Sequence, residues 1–148
     1  MIRVLEAPFD PAEALARFIA DAGHGAVVSF VGIVRGDGGV ETLTLDHYPG
    51  FTEPGLAQMV DAMIARHGLT AASVIHRFGT MRPGEPIMFA ATAAPHRRAA
   101  LLALDELLDR LKTEAPFWKK ERRDGRDHWL EASGADRTDA ARWVTIDG

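Results

Sequence analysis

"ASVIHRFGTMRPGEPIMFAATAA", residues 72–94, holds two apolar runs on either side of Arg-Pro-Gly-Glu. Pro83 and Gly84 fit the two central positions of a type II turn, where proline presets φ and glycine accepts a positive one. The two runs therefore read as strands of a β-hairpin. Working outward, residues 95–115, "PHRRAALLALDELLDRLKTEA", form the longest predicted helix, opened by Pro95 and ended before Pro116. Leu101, Leu104, Leu108 and Leu111 are its predicted inward face. On the other side, a helix beginning near residues 52–54 carries Leu56, Met59, Val60, Met63 and Ile64 as one apolar stripe and stops at Gly68.

The same alternation extends to both ends. "FDPAEALARFIADAGHG" reads as a helix capped by Asp10, with Pro11 at its first position and Glu13 completing a capping box. "GAVVSFVGIVRG" is apolar on both faces, which predicts a central strand, with a bulge or close approach at Gly32. "GDGG", residues 36–39, predicts a mobile loop, and "VETLTLDHY" a strand with Leu43 and Leu45 on one face. "FWKKERRDGRDHWLEA" predicts a second hairpin turning at Asp124-Gly125, and one helical turn is expected around residues 139–143. Helices separating pairs of strands imply an α+β fold with mainly antiparallel strand pairs and three main helices. The length, 148 residues, predicts a single domain over residues 1–148.

Composition excludes several classes of function. A net charge of −4 argues against a general nucleic-acid binder. Between Asp109 and Arg126, however, seven basic residues against four acidic ones give a local 7 − 4 = +3. An acidic chain with one basic segment suits a small anion. There is no cysteine, so the chain offers no thiol nucleophile, thiolate metal site or persulfide. The six histidines are scattered without metal-ligand spacing, and no metal or cofactor is expected. No apolar run approaches the ~20 residues of a membrane span, so a soluble cytoplasmic protein is expected.

Chemistry-bearing residues concentrate in "LKTEAPFWKKE", residues 111–121. With Lys112 ending a helix and Pro116 turning the chain, Lys112 and Lys119 are able to meet in one cleft. Strand alternation sends Lys119 and Lys120 to opposite faces. Two close ammonium groups beside Phe117 and Trp118 depress each other's pKa and prepare an amine for proton transfer or attack. The alternative is a solvated basic strand beside core aromatics. In "APHRRA", His96 and Arg97 lie in the first turn of the long helix, where free amides favour an anion. Arg35 follows an apolar strand, with little to pack against and much to bind. "HYPGFTE" explains itself as a strand-to-helix connection, and "HRFG" carries the weakest signal of these stretches.

Taken in order and spacing, "GAVVSFVGIVR", "LDHYPGFTE", "HRFG", "PGE", "APHR", "LKTEAPFWKKE" and "WLEA" resemble the MoaE family, the catalytic large subunits of molybdopterin synthase. The resemblance covers residues 25–132. It implies an α/β-hammerhead type of fold and an enzyme of molybdenum cofactor biosynthesis. That enzyme converts cyclic pyranopterin monophosphate (precursor Z) to molybdopterin by building a dithiolene. It further implies sulfur delivery from the thiocarboxylated C-terminal glycine of a small ubiquitin-like partner, within a heterotetramer built on a central homodimer. By position, Lys112 and Lys119 match the family's catalytic lysines. Ile33, Val34, Arg35, His96, Arg97, Lys120 and Glu121 match its substrate-binding residues. The chain departs from the family pattern at Asp46, Phe51 and Ser133, and Arg137 is the candidate to replace the basic residue missing at Ser133.

Overall fold

The turn at residues 82–85 forms as its sequence requires. Gly84 takes φ 91°, and the Glu85 amide donates to the Arg82 carbonyl at 3.2 Å. Around it, in a computed structural model that describes residues 1–144, strand β4 (Ala71–Arg77) runs antiparallel to β6 (Pro86–Ala94). The apolar run before the turn is not one strand, however. It breaks at Phe78, and β5 (Gly79–Met81) leaves for a second sheet with Gly79 at φ 86°. A left-handed residue there redirects the chain at a point where a side chain would be strained.

The remaining elements are β1 (Ile2–Leu5), α1 (Pro11–Ala22), β2 (Ala26–Ile33), a 3-10 turn (Asp37–Gly39), β3 (Val40–His47), α2 (Thr52–His67), α3 (Arg97–Glu114), β7 (Phe117–Arg123), β8 (Arg126–Leu130) and α4 (Gly134–Ala141). They build two four-stranded sheets, β1-β4-β6-β2 and β5-β3-β7-β8. Among the described residues only β1 against β4 is parallel, so the α+β order with mainly antiparallel strands is the one observed. Strands β2 and β3 flank the glycine stretch but belong to different sheets, so that pair is not a hairpin. The second predicted hairpin does form: β7 pairs with β8, and Asp124 and Gly125 take φ 49° and 70°.

Four readings are corrected by the packing. Strand β2 lies at a sheet edge, not at its centre; it is apolar on both faces because α1 and α3 pack against it from the two sides. Its register does shift at Gly32. On α3 the buried face is Ala100, Ala103, Leu104, Leu107 and Leu111, whereas Leu101 is exposed. Small alanines set this contact, because they let the helix approach the sheet closely. Glu13 bonds Arg17 instead of closing a capping box, and Asp10 alone caps α1 through the Ala12 and Glu13 amides. The glycine stretch is a 3-10 turn, pinned by an Arg123 guanidinium bond to the Gly38 carbonyl at 3.2 Å.

The main core lies between α2, α3 and the first sheet, around Leu56, Met63, Val74, Ala90 and Leu107, all at 0% exposure. Each large side chain buried there contributes about 2 kcal/mol. Across α2 and α3, Glu106 is fully buried. It accepts from Arg110 Nε at 2.9 Å, lies 2.7 Å from His67 Nε2 and 3.2 Å from Arg66 Nε. A smaller cluster, Val34, Leu45 and Met81 with Ile87 and Phe117 against it, joins the two sheets. No helix among the described residues is long and apolar enough to cross a membrane.

Candidate active site

Lys112 stands in the last turn of α3, which ends where Ala115 and Pro116 turn extended. Strand β7 then follows with strict alternation, Lys119 opposite Leu45 of β3 and Leu130 of β8. The bend between the lysines is fixed by a buried hydroxyl. Thr52 Oγ1 donates to the Pro116 carbonyl at 3.1 Å and accepts from the Tyr48 amide at 2.9 Å. "HYPGFTE" is thus a connection, as read, and also the anchor of the lysine-bearing segment.

A cavity of about 600 Å³ opens between the two sheets, and both Lys112 and Lys119 line it. Ile33 at the end of β2 and Val34 and Arg35 just after it form one side, and Glu121 lies on the same wall as Lys119. Burial lowers the pKa of the Lys119 amine, the Lys112 charge lowers it further, and Asp136 opposes both. An amine whose charged form is disfavoured in this way gives up its proton more readily than a lysine in water.

His76 faces the same cavity and stacks on Phe117 at 4.0 Å between ring centroids. Its Nδ1 lies 2.9 Å from the Arg77 carbonyl, which only accepts, so Nδ1 carries the proton and Nε2 is bare. Burial pushes its pKa down to about 4; the bond to Arg77 resists this and the Lys119 charge adds to it. The ring is therefore neutral near pH 7. The neighbouring Arg77 has a framework role, donating to Glu85, the Pro86 carbonyl and the Glu6 carbonyl.

Four of the residues singled out in the sequence lie elsewhere. Lys120 points to the opposite face of β7, with Nζ 3.5 Å from Asp127 and 5.6 Å from the Trp129 ring centroid. His96 and Arg97 are exposed at the start of α3. At 1.5 Å per residue they lie roughly 22 Å along the axis from Lys112. Arg137 donates to the Ala132 carbonyl, and Ser133 caps α4. Two cavity residues went unnoticed in the sequence as site residues. His76 sat in the weakest motif; Asp136 had a local signature, standing three residues after Ser133 in a capping-box pattern. Among the described residues no group of three or more His, Cys, Asp or Glu is arranged to hold a metal ion.

The family model described as MoaE protein matches residues 4–114, well over half of the chain. The chain belongs to the MoaE family. Similarity to other MoaE chains extends past the matched segment and across Lys119. A Caulobacter vibrioides protein named molybdopterin synthase catalytic subunit is 41% identical, over 97% of this chain and 97% of its own. A Pseudomonas aeruginosa protein of the same name is 44% identical, over 96% of this chain and 97% of its own. In structure, the molybdopterin biosynthesis MoaE protein from Burkholderia ambifaria superposes with a TM-score of 0.83 at 36% identity, covering 97% of each chain.

Proposed function

We propose that this chain is the catalytic subunit of a molybdopterin synthase, a sulfurtransferase of molybdenum cofactor biosynthesis. Its substrate is cyclic pyranopterin monophosphate, and its product carries the dithiolene of molybdopterin. The observation that carries the reading is the pair of lysines on one cavity, with the Lys119 amine driven below its ordinary pKa by burial and by Lys112. Relatives named as the catalytic subunit of this enzyme across nearly the whole chain support it.

The chain has no cysteine, so it has no atom on which to carry sulfur. Sulfur arrives on a partner, a small ubiquitin-like subunit whose C-terminal glycine is a thiocarboxylate. That tail and the pterin phosphate are both anions, and Arg35, Lys112 and Lys119 hold them along the wall of the hollow, with the buried Lys119 amine attracting them more strongly than a charge in bulk solvent would. Ile33, Val34 and Glu121 shape the walls. Lys120, on the other face, serves the outer surface of the strand pair.

His96 and Arg97 act on the cavity of a second copy. They are too far along α3 to reach their own, and edge strand β2, which borders the cavity, exposes Phe30, Val31 and Ile33 as a surface for self-association. A central homodimer with a small subunit at each end follows, a heterotetramer. The compartment proposed is the cytoplasm.

The test is Lys119→Ala in a reconstitution with thiocarboxylated small subunit and cyclic pyranopterin monophosphate. Dithiolene formation is expected to vanish while the circular dichroism spectrum is unchanged. Near-normal turnover by the variant, or binding without turnover by the parent chain, overturns the reading.

A further inference from the structure

Among the carboxylates on the cavity wall, Asp136 stands apart. Glu121 is engaged by Arg123 at 2.6 Å and Asp109 by Arg142 at 2.7 Å, whereas Asp136 Oδ1 lies 3.4 Å from Lys112 Nζ. Its other oxygen is held by the cap of α4. Oδ2 accepts from Ser133 Oγ at 2.7 Å and from the Ser133 amide at 3.0 Å, and the Asp136 amide donates back to Ser133 Oγ at 3.0 Å. A carboxylate gripped at one oxygen has a fixed second oxygen to offer. The lysine it meets is 58% exposed along its side chain and has no comparable restraint of its own.

We propose that Asp136 is a positioning residue of the sulfur-transfer site: clamped by the α4 cap, it anchors Lys112 as a fixed cation and leaves Lys119 as the amine that changes its proton. This rests on the catalytic reading above and divides the work between its two lysines. The charged and titratable groups that line the cavity with Lys119 come from every wall. Lys112, Asp105 and Asp109 stand on α3, His76 on β4, Arg35 after β2, Glu121 on β7, and Asp136 with Asp139 on α4. Arg142 holds Asp105 and Asp109, Arg123 holds Glu121, and His76 is uncharged above about pH 4. Arg35 lies 3.6 Å from Asp37, and of the wall charges it is Lys112 that lowers the Lys119 pKa and Asp136 that is set against it. Removing Asp136 leaves Lys112 uncompensated, drives the Lys119 proton off more readily and strengthens the attraction for anions.

The test is Asp136→Asn in the full chain, which keeps an oxygen for the Ser133 cap and deletes the charge. A Lys119 side-chain titration by NMR is expected to move its midpoint down by roughly half a pH unit or more. Inorganic phosphate is expected to bind about threefold tighter or better. Asp136→Glu restores both readouts toward the parent values. Ser133→Ala, which loosens the clamp and keeps the charge, moves the midpoint by less. An unmoved midpoint in Asp136→Asn overturns the proposal, and so do equal shifts in Asp136→Asn and Ser133→Ala, which would mark loss of helix rather than loss of charge. Neither readout uses the partner or the pterin. Failure of the sulfur-transfer reading, seen as turnover by Lys119→Ala, is therefore distinct from failure here.

Discussion

Replacing His76 by phenylalanine should flatten the acid sensitivity of the fold. The ring is buried at 7% exposure, and its pKa falls from 6.5 in the unfolded chain to about 4 in the folded one. As the pH falls below 6.5, the unfolded chain takes up the proton first, so stability present in full above that value is lost as the pH drops toward 4. At about 1.4 kcal/mol per pH unit, the gap amounts to about 3 kcal/mol once both states are protonated, and to about 2.5 kcal/mol by roughly pH 4.5. That is a large share of the stability of an ordinary domain. Phenylalanine keeps the stack on Phe117 and cannot titrate. Urea unfolding at about pH 7 and about pH 4.5, followed by tryptophan fluorescence, separates the effects. The parent midpoint should fall by about 1 M more than that of His76→Phe over this interval. Carboxylates such as Asp136 and Glu85, whose pKa values are also lowered, act in both proteins and cancel in the difference. Equal falls would refute the argument, because they would mean that the folded site accommodates a charged imidazole as easily as water does.

Other perturbations test the frame around the site. Glu106→Ala leaves Arg66, His67 and Arg110 without the buried carboxylate they share, and should cost about 3–5 kcal/mol in urea unfolding. Gly25→Ala would set a Cβ 2.4 Å from the Ala94 carbonyl oxygen at φ +103°, so a loss of about 2 kcal/mol or more is expected in the same assay. Thr52→Val removes the hydroxyl that ties Pro116 to the start of α2; it should lower turnover by misplacing Lys119 while leaving the circular dichroism spectrum unchanged.

Periodicity and turn chemistry made most of the architecture legible. The type II turn at Pro83-Gly84, the second hairpin at Asp124-Gly125, the α2 stripe and the Gly68 stop all rest on local rules, and local rules hold within a few residues. What escaped depended on distant partners. Nothing in the letters of residues 72–81 says that the chain changes sheets at Gly79, because either sheet would accept the same apolar residues. Four-residue β1 is too short to show a period. The edge position of β2 was hidden because helices on two faces and strands on two sides demand the same hydrophobic run. The site divided in the same way. Lys112 and Lys119 flank one bend and were found together, and the alternation that separates Lys120 from Lys119 was readable. Asp136 reaches Lys112 only through the packing of α4 on α3, which no short pattern encodes.

The hollow that holds the lysines is a seam between two separately bonded ladders, not a slot cut through one continuous sheet. Each wall keeps its shape through its own backbone bonds, while the gap between them is set by side-chain contacts such as His76 on Phe117 and Ile87 against Met81. A gap of that sort widens by rolling one wall over the other, with no backbone bond broken. The chain end proposed above as the sulfur donor requires that freedom to enter and to leave.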